Sequence, residues 1–499
     1  MIRWLFARNK INEILLFVGG GLRLIEYLYN RSIWRDEAAL ALNIITKSYT
    51  ELLQPLDYQQ TAPLGFLLLE KVSVQFLGTS EYALRLFPFL ASLFSLWLFY
   101  KVSQQFLATR VVPIAVALFT LSHPLIYYAA EVKQYSFDVT VALLIYLLVD
   151  WLGRENLKLK MIFVAGSAGV LLPWFSYITI FLLGAVVLTY LLTYSTQQRA
   201  VLVRYGFMFA IWGAGFLLVY TFSLRQGLTN GYLREFWEEH FMPFPPTSVS
   251  DVRWFYASFV DIFRRTGGFA FPKVAGLLYI LGSWWIFRRN KKQFFLLMTP
   301  LFLTLVASGL QFYPFRGRLL LFLLPSIIIT CGLGIEYLLL YVRLPRFLQR
   351  KKFAVRYIKF GIVGLLFFHP LLYAVNHLYL PRSAEEIKPA LNYIIAHQQA
   401  DDKFFIYSNA ALQFSYYAPK YRFAEGRYFI SNWNHDNYRE VLEQLSGNPR
   451  VWIVYSQIYE ESSTEIESFV EYLNSVGLQR DFYQAKRIWV HLYDLSIHE

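Results

Sequence analysis

Two carboxylates stand side by side in NRSIWRDEAALALNII, residues 30–45, a few positions after the first long apolar run. Asp36 and Glu37 follow Trp34 and Arg35, and this grouping supports two readings. In one, Trp34 anchors at lipid headgroups and the acids open a helix, where the dipole favours negative charge. In the other, a carboxylate partly desolvated against aromatic neighbours has its pKa raised and serves as general base toward a hydroxyl nucleophile. A second acid, Glu131, lies in HPLIYYAAEVKQYSFDV at 123–139, close to Lys133, Gln134 and Tyr135. That stretch is either a solvated helix–helix turn or one wall of a cavity in which Glu131 faces Asp36. Two acids converging there could hold an acceptor hydroxyl or a divalent cation such as Mg or Mn.

Two more stretches carry groups that suit a charged substrate. In QFYPFRGRLLLFLLP, residues 311–325, Arg316 and Arg318 precede an apolar run. They are either a snorkelling interfacial pair or a phosphate site, since guanidinium binds phosphate bidentately. Arg85, at the start of another apolar run, is a further candidate of the same kind. In DYQQTAPLGFLLLEK, residues 57–71, Pro63 and Gly65 set a turn, while Gln59, Gln60 and Thr61 offer neutral hydrogen-bonding groups. Glu70 and Lys71 are expected to pair with each other. His435 with Asp436, and His240 after Glu238 and Glu239, are metal-ligand types at unspecific spacing.

The elements that must position these groups are apolar helices. The chain has 499 residues, 56% hydrophobic and 19% aromatic, with only 16% charged, well below the roughly 25% charged residues of a soluble domain. Apolar runs recur at lengths of about 18–22 residues, enough to cross a hydrocarbon core as helices. We read eleven spans, at 11–29, 85–104, 111–129, 138–152, 160–176, 178–195, 204–222, 272–287, 293–311, 319–341 and 357–376. The net charge of +13 does not point to nucleic acid, because Lys and Arg gather in short loops. Arg3, Arg8 and Lys10, RENLKLK at 154–160, Arg199 and Arg204, RRNKK at 288–292 and RLPRFLQRKKFAVR at 343–356 then fall on one side, which the positive-inside rule makes cytoplasmic. The basic start MIRWLFARNK reads as a retained signal-anchor helix with a cytoplasmic N-terminus. The single cysteine, Cys331, permits no intramolecular disulfide.

The run 62–78 is left out of the spans because Glu70 and Lys71 sit in its middle, and a central charge costs at least about 2.5–3.5 kcal/mol on insertion scales. It reads as helix along the outer interface, so 30–84 is one outer loop and Asp36 and Glu37 face outward. The aromatic-rich outer loop 223–271 is expected to hold interfacial helices. Residues 1–376 thus form a membrane domain and residues 377–499 an extracytoplasmic α/β domain. In that domain EEIKPALNYIIAHQQ, EVLEQL and IESFVEYLNSVG have helical spacing, while KFFIYSN, VWIVYS and RIWVHLYDL read as strands.

The ordered set of Asp-Glu in the first outer loop, a Pro-Leu-Gly step, Leu-Arg-Leu-Phe-Pro from Leu84 to Pro88 and then Glu-Val-Lys-Gln-Tyr-Ser resembles the GT-C membrane glycosyltransferases. The likeness is to the bacterial branch near protein O-mannosyltransferases and the aminoarabinose transferase of lipid A, and it covers most of residues 1–376. The tail EEIKPALNYI…DDKFFIYSNAALQFSYYAP is similar to the outer domain of bacterial members. The resemblance implies a polyprenyl phosphate sugar as donor and a lipid, glycan or protein acceptor, met at the outer face of a bacterial inner membrane. It implies Asp36 as catalytic base, Glu131 as second acid, and Arg316 or Arg318 serving the donor phosphate. Glu37, Gln60, Arg85, Lys133, Gln134 and Tyr135 complete the expected substrate site. Many relatives carry Lys where Thr61 stands, and some carry Asp where Tyr135 stands. Two other classes stay open: a transporter or flippase for a lipid-linked sugar, and a non-catalytic accessory subunit.

Overall fold

The structure, a computed structural model, describes residues 2–154, 159–193, 199–228, 230–342, 352–431, 437–456 and 463–496. The expected metal candidates His435 and Asp436, and most of the basic loop 343–356, lie outside these residues. Two compact units are present: Met1–Leu28 with Ser48–Pro381, and Tyr29–Lys47 with Arg382–Glu499.

The first unit is a helical bundle. Among its described residues six helices are long and apolar enough to cross a membrane: Glu81–Phe106, Tyr135–Gly153, Tyr205–Leu224, Lys291–Gly309, Gly317–Leu340 and Tyr357–Tyr379. Val112–Leu121 and His123–Ala130 make a seventh only if taken as one span bent by 52°. Ser122 interrupts the run there, with Pro113 and Pro124 each in a first helical turn, where a missing N–H costs little. Length and composition of the described helices therefore do not confirm the exact count of eleven spans. The runs 160–176 and 178–195 form the shorter helices Lys160–Trp174 and Thr179–Thr193. The runs 11–29 and 272–287 are helical within Ile2–Tyr29 and Pro272–Arg289.

Polar groups tie the bundle together where water cannot reach. Arg23 Nε donates to Ser92 Oγ at 2.9 Å, and Thr140 Oγ1 donates to the Ala91 carbonyl at 2.8 Å. Each links helices far apart in sequence and satisfies a group that apolar surroundings would otherwise strand. Ring packing does the rest, as where Phe99 stacks on Phe119 at 4.1 Å between centroids.

The run 62–78 contains one helix, Leu64–Leu77, of 14 residues. At 1.5 Å per residue that is about 21 Å, short of a hydrocarbon core. Glu70 is fully buried on it, and neither carboxylate oxygen has a hydrogen-bond partner among the described residues. The expected pair with Lys71 does not form, because neighbouring helix positions point about 100° apart.

The second unit is a mixed sheet under helices. Its strands are β1 (Lys403–Ile406), β2 (Tyr428–Ile430), β3 (Val451–Ser456), β4 (Leu478–Ala485) and β5 (Ile488–Asp494). Their order is β2-β1-β3-β5-β4. β1 pairs in parallel with β2 and β3, while β5 is antiparallel to β3 and β4. β3 is buried at every residue, as a central strand covered on both faces must be. Phe405, Ile453, Phe469, Leu473 and Tyr493 belong to the core on one side. Asp402, almost fully buried, accepts from Arg450 Nε at 2.8 Å and from Trp452 Nε1 at 2.7 Å.

The helix Arg35–Thr46 is also part of this second unit. Its buried run Glu37-Ala38-Ala39-Leu40-Ala41-Leu42-Asn43-Ile44 packs on the helix Ala411–Tyr417. Three alanines in that run keep the side chains small and let the two helices approach.

Candidate active site

The candidate residues fall in both units, and each set is described within its own. Asp36 and Glu37 occupy the first turn of Arg35–Thr46. Asp36 is half-buried and Glu37 fully buried. The residue at the helix N-cap, Trp34, makes no side-chain cap. The approach to the helix is held by the segment that leads into the sheet. Ser32 Oγ donates to Glu386 Oε2 at 2.6 Å, the Ile33 N–H donates to Tyr417 Oη at 2.9 Å, and the Arg35 N–H donates to Glu385 Oε2 at 3.3 Å. Lys388 Nζ reaches the Asn30 carbonyl at 2.6 Å, which fixes a residue at φ 48°. Burial pushes the Glu385 carboxyl up to about 7, opposed by the Arg35 N–H and charge and by Gln413.

In the first unit, three of the stretches singled out in the sequence meet. Lys133 Nζ donates to Gln60 Oε1 at 2.7 Å. The Arg318 guanidinium lies 5.8 Å from the centroid of the Tyr135 ring, within cation–π range. Glu131 is fully buried, and its carbonyl accepts from the Lys133 N–H at 2.7 Å. Arg85 is buried on Glu81–Phe106, and Gln134 immediately precedes the helix Tyr135–Arg154. Gly317, at φ 48°, turns the chain between Arg316 and Arg318 in a conformation that favours glycine. The two arginines consequently meet different partners.

Arg316 hydrogen-bonds the ring of His240. Burial, then the Arg316 charge, hold the His240 imidazole below its ordinary range, so the neutral ring accepts from the guanidinium. His240 entered the sequence reading only as a metal ligand beside Glu238 and Glu239, and its contact with Arg316 was missed. Asn230, whose Nδ2 donates to Gln59 Oε1 at 2.7 Å, was missed too. So was Tyr177, whose hydroxyl donates to the Ala62 carbonyl at 2.8 Å. The one available signal was a set of polar residues interrupting aromatic-rich sequence. Among the described residues no three His, Cys, Asp or Glu side chains gather as a metal site would require.

No family model and no curated protein matches the chain. Solved structures do resemble it. ArnT from Cupriavidus metallidurans bound to undecaprenyl phosphate has a TM-score of 0.51 at 12% identity, with 98% of each chain covered. The archaeal oligosaccharyltransferase AglB from Archaeoglobus fulgidus, in complex with an inhibitory peptide and a dolichol-phosphate, has a TM-score of 0.55 at 10% identity, covering 97% of this chain and 74% of its own. The Archaeoglobus fulgidus oligosaccharyltransferase in complex with Zn and sulfate gives 0.54 at 10% identity, with 96% and 73% covered. Both kinds of protein have the GT-C fold, and this chain shares it over nearly its whole length.

Proposed function

We propose that the chain is a membrane glycosyltransferase that moves a sugar from a polyprenyl phosphate to a lipid, glycan or protein acceptor at the extracytoplasmic face. The observation that carries this reading is the fold shared with ArnT bound to undecaprenyl phosphate across 98% of both chains. The cations support it, because Lys133, Arg316 and Arg318 suit a phosphate-linked donor. The half-buried position of Asp36 in a first helical turn suits a base.

The reaction is an inverting displacement. The Asp36 carboxylate takes the proton of the acceptor hydroxyl as that oxygen bonds to the anomeric carbon. The carbon–oxygen bond to phosphate breaks, and polyprenyl phosphate leaves as a stable anion that needs no acid. Lys133, with Arg316 or Arg318, offsets the charge growing on it. The single-base logic is that of inverting glycosidases, with an acceptor in place of water.

The test is transfer by purified protein from a panel of polyprenyl phosphate sugars to candidate acceptors, with Asp36→Asn in parallel. Turnover that falls by about 10²–10⁴-fold at unchanged thermal stability supports the reading. Equal turnover by both proteins removes Asp36 from the chemistry.

A second reading, a carrier for lipid-linked sugars, draws on one observation. Glu26 and His377 lie 3.5 Å apart with both side chains fully buried, on Ile2–Tyr29 and Lys352–Tyr379. Ionisable pairs inside apolar helix layers often line transport paths. Donor movement across a vesicle membrane without sugar transfer would favour it.

A further inference from the structure

We propose that Glu385 is a positioning residue for Asp36, acting as the N-terminal cap that the helix Arg35–Thr46 lacks in its own sequence. This rests on the reading of Asp36 as base. A helix leaves its first four N–H groups without intrahelical acceptors, and most helices meet one of them with a Ser, Thr, Asp or Asn side chain at the N-cap. Here that position is Trp34, an indole with no acceptor, in extended conformation. The acceptor arrives from 350 residues away, where Glu385 Oε2 takes the Arg35 N–H.

The geometry around Glu385 makes it a fixture rather than a passing contact. It is almost fully buried. Gln413 donates to the same oxygen from the helix Ala411–Tyr417, which packs against Arg35–Thr46. The next residue, Glu386, accepts from Ser32 Oγ, and the Lys388 N–H donates to Ser32 Oγ at 3.2 Å. Tyr417 takes the Ile33 N–H. Asn30, Ser32, Ile33 and Arg35 are thus each held by a hydrogen bond with Glu385, Glu386, Lys388 or Tyr417, and the Glu385 carboxylate meets the residue just before Asp36. In its ionised form Glu385 adds charge to shape, since an anion at a helix N-terminus is favoured. The charged groups acting on Glu385 are Arg35 and Arg487. Placing a base within hydrogen-bond reach of one hydroxyl requires that the helix keep its direction and its first turn, and a displacement of about 1 Å can cost on the order of 10²-fold in rate.

The test compares wild type, Glu385→Gln, Glu385→Asp and Asp36→Asn in the transfer assay, with amide hydrogen exchange of residues 35–38 read in each. Glu385→Gln keeps the shape and removes the charge. The expected result is a kcat lowered by about 10- to 100-fold, with KM for donor and acceptor unchanged and faster exchange at 35–38. Glu385→Asp is expected to restore part of the rate. Should Glu385→Gln fail to fold, Gln413→Met removes the tether while leaving the carboxylate, and is expected to show the same split of kcat from KM. Wild-type turnover and exchange in Glu385→Gln, with Asp36→Asn inactive, overturns the positioning role and leaves the base assignment standing. A lowered kcat with unchanged exchange at 35–38 also overturns it. Full turnover by Asp36→Asn overturns both.

Discussion

Glu70 and Lys133 show how much a single side chain's surroundings decide. Both are charged types set against apolar sequence, Glu70 in the middle of the run 62–78 and Lys133 between two apolar runs. Lys133 finds Gln60 at 2.7 Å across 73 residues of chain, and its ammonium is of the type that binds phosphate. With Lys133 serving the donor phosphate, Lys133→Met is expected to raise KM for donor about tenfold or more, the scale of one charge-assisted hydrogen bond. Steady-state kinetics at varied donor concentration checks this. Glu70 has the opposite situation. Burial pushes its carboxyl well above the usual range, and no hydrogen bond among the described residues offsets that. A folded-state pKa above the unfolded value means stability is fully present below the unfolded pKa and is lost as pH rises toward the folded one. Glu70→Met is therefore expected to raise the melting temperature at pH 8, with the gain shrinking toward pH 5. A melting temperature that falls equally at both pH values would contradict this and point to a contact that Glu70 makes.

At the scale of elements, backbone approach matters more than side-chain size. Pro272–Arg289 and Leu324–Leu340 cross at Gly282 and Gly334. A Cβ at Gly282 would overlap the Thr330 carbonyl oxygen, and one at Gly334 the Leu278 carbonyl oxygen. Backbone atoms cannot rotate aside, so the helices would have to part and lose their packing. Gly334→Ala is expected to cost at least about 1–3 kcal/mol, the usual range for overpacking. Gly364, on Lys352–Tyr379, has nothing within 4 Å of its Cβ position, and Gly364→Ala is expected to be neutral or slightly stabilising. Thermal unfolding of the two variants in one detergent makes the comparison.

For the whole molecule, the orientation drawn from loop charges is open to a direct experiment. Cys331 is the only cysteine and is buried, so a Cys331→Ser background accepts single probes cleanly. A cysteine at exposed Lys291, within the basic stretch RRNKK, is expected to react with an impermeant thiol reagent only from the cytoplasmic side. One at exposed Asp401 is expected to react only from outside. Labelling of both from the same side would reverse the assignment of one unit and, with it, the proposed compartment of the reaction.

What the chain determines by itself is mostly local. Apolar runs made the helical layer legible, and β1, β3 and β5 were readable because buried strands are dense in Val, Ile, Phe and Trp. β4 was not readable, because its residues are mostly half-buried or exposed and many are polar. β2, at three residues, is too short to leave a pattern. The eleven spans are not confirmed: among the described residues six helices are long and apolar enough, or seven with the pair bent at Ser122 taken as one. The stretches that carry chemistry were visible as residue types, but their partners were not. Lys133 meets Gln60 across 73 residues, and the helix bearing Asp36 takes its cap from Glu385 across 350. No periodicity encodes such distances. They are settled when the chain closes and buried polar groups must find whichever acceptor the packing brings near. For the same reason residues 30–47, which read as part of the first outer loop, fold with the sheet at the far end of the chain.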